Sequence, residues 1–120
     1  YKVTGVQTCA LPIFHETREA QPDGSVSVSQ RIVGVSRYVT NVDGTTCEFA
    51  LAVADDFGGK GLGSRLMLSI MEAAREKGLA EIEGLVLVNN PGMLRLMKSL
   101  GFTIKPYAED ADFRLVTHAL

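Results

Sequence analysis

Two features of this sequence could do chemistry together. One is the run Gly58-Gly59-Lys60-Gly61-Leu62-Gly63, with Ser64 behind it; the other is Glu48, a carboxylate on the alternating stretch just ahead. Glycine lacks a Cβ, so the backbone at such a run can approach a ligand closely. A helix opening there presents unpaired N–H groups and a partial positive charge. That combination suits a phosphate or diphosphate. Lys60 can add charge and Ser64 a hydroxyl donor, although an exposed lysine or first-turn serine needs no ligand to explain it. A turn that needs glycine only for its dihedrals would look the same. Glu48 can act as a general base, directly or through one water, and burial would raise its pKa. The competing reading is a solvated glutamate, or one paired with Arg37. Asn90-Pro91 is a helix start, with asparagine as N-cap and proline at the first helical position. Asn90 can also contact a ligand.

The elements that must hold these residues follow from periodicity. Thr46 to Val53 alternates as a strand: Cys47, Phe49, Leu51 and Val53 on one face, Glu48, Ala50 and Ala52 on the other. The second face, a carboxylate beside two small side chains, leaves room for something to lie along it. Leu62, Leu66, Ile70 and Ala73/Ala74 repeat at helical spacing from Leu62 to Lys77, where Gly78 ends the helix. Before the glycine run come a strand remnant at Phe14–Glu19, a turn at Gln21-Pro22-Asp23-Gly24-Ser25, and a strand from Val26 to Thr40. Asn41-Val42-Asp43-Gly44 is a hairpin turn. After the helix, Ile82 to Val88 is apolar enough for a strand covered on both faces. A second helix carries Leu94, Met97 and Leu100 and ends at Gly101; short strands at Phe102–Lys105 and Phe113–His118 close the chain. The order β-β-β-α-β-α-β-β predicts a mixed α/β fold.

Length and composition narrow the function classes. A chain of 120 residues is one domain with one core. A formal charge of −2 with no basic cluster argues against nucleic acid as partner. No apolar run reaches the ~18 residues of a membrane helix, so no membrane partner is expected. Cys9 and Cys47 show neither metal-ligand spacing nor a disulfide framework, so no metal and a reducing, cytoplasmic location are expected. His15 and His118 have no metal or triad partner in the sequence.

Two resemblances add to this. Val3-Thr4-Gly5-Val6-Gln7-Thr8-Cys9-Ala10-Leu11-Pro12-Ile13 resembles a translated sequencing adapter. Residues 1–13 are therefore expected to be non-native, and residues 14–120 to be a domain incomplete at its N-terminus. The second resemblance rests on Val53 through Gly63, the following apolar strand, Asn90, Met93-Leu94 and Leu100-Gly101-Phe102. At these separations they resemble the GNAT superfamily of acyl-CoA-dependent N-acyltransferases, over Phe14 to Leu120. Cys47-Glu48-Phe49-Ala50 and Asn90…Met93-Leu94 are most similar to the acetyltransferase domain of Pat-type protein lysine acetyltransferases.

The resemblance implies a mostly antiparallel sheet with flanking helices, its N-terminal strand and helices truncated here. It implies acetyl-CoA as co-substrate and an amine acceptor, a protein lysine in the Pat case. A small amine, or acetyl-CoA binding without catalysis, remain the alternatives. It implies backbone contacts to the pantetheine arm from Leu51, Ala52 and Val53. Diphosphate contacts fall on Gly58, Gly59, Lys60, Gly61, Leu62, Gly63 and Ser64, a cofactor contact on Asn90, and the base on Glu48. Pat-type domains often follow a region resembling acyl-CoA synthetases, an expected fused partner. Two positions depart from the family pattern. Gly58 stands where an arginine or glutamine is usual. Met97 stands where many members carry a proton-donating tyrosine.

Overall fold

The computed structural model describes residues 8–59 and 61–120. Six strands and two helices appear in the expected order. The strands are β1 (Thr8–Ala20), β2 (Val26–Thr40), β3 (Thr46–Val53), β4 (Glu81–Leu87), β5 (Thr103–Pro106) and β6 (Phe113–Ala119). The helices are α1 (Leu62–Glu76) and α2 (Pro91–Ser99), and a 3-10 turn, Asp55–Phe57, precedes the glycine run. The sheet order is β1-β2-β3-β4-β6-β5. Only the β3–β4 pair is parallel; every other neighbour is antiparallel. The fold is thus a mixed, mostly antiparallel α/β sheet.

β1 begins at Thr8, not Phe14, so residues 8–13 of the leading segment pair with β2, from Thr8↔Val39 to Ile13↔Gly34. Cys9 and Leu11 alternate onto the core-facing side of this strand and pack against the core. Residues 1–7 lie outside the described residues.

Local chemistry accounts for the boundaries. In the β2–β3 hairpin, Asp43 accepts the N–H groups of Thr45 and Thr46 at 2.9 and 3.0 Å, and Gly44 takes the positive φ of 74°. Those amide bonds hold the Asp43 carboxyl below its usual range. α1 ends where Gly78 turns to φ 79°. α2 opens on the Asn90 side chain, whose Oδ1 accepts the Met93 N–H at 3.1 Å.

Both helices cover the same face of the sheet. Leu66, Met67, Ile70, Met71 and Ala74 of α1 are buried against it, with Met97 of α2. The core joins them to Cys47, Phe49, Ile82, Val86, Phe102 and Val116. The Ser36 hydroxyl, fully buried under α1, donates to the Leu66 carbonyl at 3.0 Å. This one-sided arrangement corrects one expectation. β4 is not covered on both faces: Ile82, Gly84 and Val86 are buried, whereas Leu85 and Leu87 are 37% and 44% exposed. The physical reason is that no described element lies over the face that Glu48, Ala50 and Ala52 share with β4.

Candidate functional site

The site is built where two strands part. The β3–β4 ladder has three rungs: Thr46↔Glu81, Cys47↔Ile82 and Glu48↔Glu83. Beyond Glu48 each strand keeps only its outer partner, β2 for β3 and β6 for β4. At this point the Phe49 ring lies over Gly84 so closely that a Cβ there would sit 2.4 Å from Phe49 Cε2. Gly84 is therefore required for close approach rather than for its dihedrals.

Hydrogen-bond alternation decides which backbone groups face the opening. Ala54 N–H donates to Val33 O at 2.8 Å and Asn41 N–H to Thr46 O at 2.8 Å, so even-numbered residues of β3 spend their backbone groups on β2. Ala52 is one of these, paired with Val35. Leu51 and Val53 direct their N–H and C=O the other way, into the opening. Of the three residues expected to bond a pantetheine arm through the backbone, the alternation thus turns two toward it.

Two chambers flank this opening. The first, about 490 Å³, is lined by Leu51, Val53, Phe57, the glycine run with Leu62 and Ser64, and Asn90, Gly92, Met93, Arg95 and Leu96 of the second helix. The second, about 370 Å³, is lined by Glu48, Ala50, Leu85, Leu87 and Phe113 among others. Leu51, Asn90 and Met93 border both.

The first chamber is suited to an anion. Gly61 is the N-cap of α1, at φ 79°, with no capping side chain and no acidic residue in the first turn. The first intrahelical bond is Arg65 N–H to Gly61 O at 3.2 Å. The amides of Leu62, Gly63 and Ser64 precede it and have no helical acceptor. Gly58 corrects part of the expectation: its amide already donates to Asp55 O at 3.2 Å, closing the 3-10 turn. It shapes the chamber but has no amide to give. Lys60 lies outside the described residues.

The turn before the loop is anchored to the β1–β2 hairpin. The Phe57 ring lies 5.0 Å from the His15 ring and 5.4 Å from the Arg31 guanidinium, which also pairs with Asp56. His15, isolated in the sequence, is thus an anchor across long sequence distance.

In the second chamber Glu48 is exposed, which corrects the expectation of burial: the uncovered face leaves it open to solvent. Nor does it pair with Arg37, which stands opposite Ala50. The ion pairs among the described residues are Arg18–Glu16, Arg31–Asp56 and Arg75–Glu72. Glu83, its neighbour across the ladder, accepts from Asn41 Nδ2 at 3.2 Å. Tyr107, on the loop after β5, donates to Glu109 Oε2 at 2.8 Å. That bond, with the negative charges of Glu109, Glu48 and Asp110, pushes the phenol above its usual range. Nothing local to Tyr107 along the chain signals its approach to Glu48. Met97 is fully buried in the core. Arg95 was also missed; its place three residues after Gly92, on the same helical face, was the available signal.

A family model described as the acetyltransferase (GNAT) family matches residues 4–102. Acetyltransferase PA5475 of Pseudomonas aeruginosa is 36% identical over 72 residues, which are 60% of this chain and 39% of that protein. The chain thus spans about two fifths of that relative's length. The GNAT domain of S. lividans PAT superposes with a TM-score of 0.69 at 22% identity, covering 79% of this chain and 58% of that one. YncA of Salmonella typhimurium, solved with acetyl-CoA as its cofactor, has a TM-score of 0.60 at 24% identity, covering 78% and 62%.

Proposed function

Because this chain belongs to the acetyltransferase (GNAT) family, we propose that it transfers an acetyl group from acetyl-CoA to a primary amine, with protein lysine as acceptor. The observation that carries the reading is the division of charge between the two chambers. Among the described lining residues, the first holds one charged side chain, Arg95, beside the free amides of α1. The second holds one charged side chain, Glu48. A polyphosphate and an ammonium group therefore have separate places, joined along Leu51.

Within this reading each residue has a task. Leu62, Gly63 and Ser64 bind the diphosphate through amides that need no reorganisation. Leu51 and Val53 bond the pantetheine arm as a missing strand would, and Leu51 and Met93 exclude water beside it. Asn90 fixes the first turn of α2 through Oδ1, which leaves its Nδ2 for the ligand. Acetyl-CoA supplies the thioester; an N–C bond forms as the C–S bond breaks and the sulfur leaves as thiolate. A lysine amine, with a pKa near ~10.4, is mostly protonated at neutral pH. Glu48 takes that proton, directly or through one water. Met97, a buried thioether, cannot return a proton to the leaving thiolate; the second proton that the nitrogen sheds as the amide forms reaches the sulfur through water.

Glu48 is the one charge among the described lining of its chamber, which suits an ammonium acceptor; protein lysine as that acceptor follows the resemblance of Cys47-Glu48-Phe49-Ala50 to Pat-type domains. The likeness to the S. lividans PAT domain supports the same fold and is consistent with that acceptor. The test is to incubate the protein with acetyl-CoA and, separately, folded proteins, polyamines and amino acids, following thiol release and the mass of each acceptor. Acetylated lysine on a protein supports the reading. Acetylation of polyamines or amino acids alone would overturn the acceptor. Coenzyme A binding without thiol release on any amine would overturn the enzyme.

A further inference from the structure

We infer that Arg95 grips the diphosphate of the co-substrate from the second helix, supplying the cation that Gly58 cannot. The inference rests on the acetyl-CoA reading for the identity of the ligand, and on the first chamber for everything else. Arg95 lies on α2, yet it lines the same chamber as Gly59, Gly61 and Gly63. Among the described residues no carboxylate lines that chamber, and neither α1 nor α2 has an acidic residue in its first turn. The guanidinium bends back over the start of its own helix: its terminal nitrogen lies 4.0 Å from where a Cβ on Gly92 would be. That places it on the N-terminal side of α2, beside Asn90.

Four other arginines are engaged, whereas among the described residues Arg37 and Arg65 are unpaired like Arg95 but do not line this chamber. Arg18, Arg31 and Arg75 pair with carboxylates, and Arg114 donates to the Phe113 carbonyl at 3.5 Å. Among the described residues, Arg95 makes no hydrogen bond or ion pair. Arg95 is exposed, so its planar fork of donors is open to a ligand entering the chamber and fits a phosphate oxygen pair. The first-turn amides of α1 and one guanidinium then face the same chamber, an arrangement that suits a ligand with more than a single negative charge.

The experiment is calorimetric binding of coenzyme A, dephospho-coenzyme A and pantetheine to the wild-type chain, Arg95→Met and Arg95→Lys. Arg95→Met is expected to weaken coenzyme A and dephospho-coenzyme A equally, by about 10-fold or more, and to leave pantetheine unchanged. Arg95→Lys is expected to recover part of the loss, because it restores the charge without the fork. Unchanged coenzyme A binding by Arg95→Met would overturn the inference while leaving acyl transfer intact. A loss confined to coenzyme A would move the contact to the 3′-phosphate and overturn the diphosphate assignment. A loss that extends to pantetheine would reduce Arg95 to a structural role. Binding of coenzyme A without turnover on any amine would remove the catalytic reading and leave this one standing.

Discussion

Glu48 stands directly opposite Glu83 in the last rung of the parallel β3–β4 ladder. Partners in register share a face, so two carboxylates meet where the strands part. Glu83 is occupied with Asn41 Nδ2 at 3.2 Å, and Glu48 is left to the open chamber. Like charges side by side favour a cation between them. An ammonium group is such a cation, and proton removal from it suits the carboxylate that is free.

Glu48→Gln keeps the shape of the chamber and removes the base. Turnover should fall by about 10²-fold or more, with the dissociation constant for acetyl-CoA unchanged. Steady-state kinetics with binding measured separately checks this. Retained turnover would reject Glu48 as base.

Asn90 separates capping from ligand contact. Asn90→Asp keeps an oxygen for the Met93 N–H, so stability should hold within about 0.5 kcal/mol. It also replaces the Nδ2 donor with negative charge at the border of both chambers. Coenzyme A affinity should therefore drop by about 10-fold or more. Asn90→Ala, which loses the cap, should cost about 1 kcal/mol of stability as well. Urea unfolding beside calorimetry distinguishes the two effects.

Gly84→Ala tests the wedge. Its Cβ would lie 2.4 Å from Phe49 Cε2, and Phe49 is itself packed on Phe102 at a centroid distance of 5.8 Å. The ring cannot move freely, so the substitution should cost about 1–3 kcal/mol. Gly92→Ala, whose nearest atoms would be at 3.9 and 4.0 Å, is the control and should leave stability unchanged. Chemical denaturation of both variants reads the difference.

Cys47 makes stability depend on alkaline pH. Burial, and then the charge of Glu83, push its thiol up to about 11. Between the ordinary thiol value and 11 the unfolded chain loses this proton and the folded chain keeps it. The folded state then binds more protons, so stability falls as pH rises through that window, by on the order of 2–3 kcal/mol in all. Tyr38, raised chiefly by burial, pulls in the same direction. Urea midpoints from pH 8 to 10.5 should decline, and Cys47→Ala should flatten the decline without abolishing it. Equal slopes in both proteins would contradict the assignment.

Much of this was legible in the sequence because it is local. The alternation of Cys47 to Val53, the Asp43-Gly44 turn, Asn90-Pro91 and Gly78 each fix an element within a few residues. The fold class and the glycine run's place at a helix start follow from them. What was not legible depends on which edges pair. That the β3–β4 ladder stops at Glu48, while β3 stays paired to β2 and β4 to β6, is a relation between strands far apart in the chain. That Ala52 turns its backbone from the cleft follows from registration with Val35. The exposure of Glu48, Leu85 and Leu87 reflects where the helices settle, which apolar content alone does not reveal. His15 against Phe57 and Arg95 against the glycine run are contacts between elements distant in sequence, with only weak local signatures.

If the first-turn amides of α1 hold a diphosphate beside the Glu48 chamber, they sense coenzyme A and ignore pantetheine. Amide resonances recorded during titration with coenzyme A, and separately with pantetheine, test it most directly. Coenzyme A should shift Gly61, Leu62, Gly63 and Ser64 most strongly, and pantetheine should move Leu51 and Val53 but not those four. Coenzyme A binding that leaves the four amides in place would contradict it.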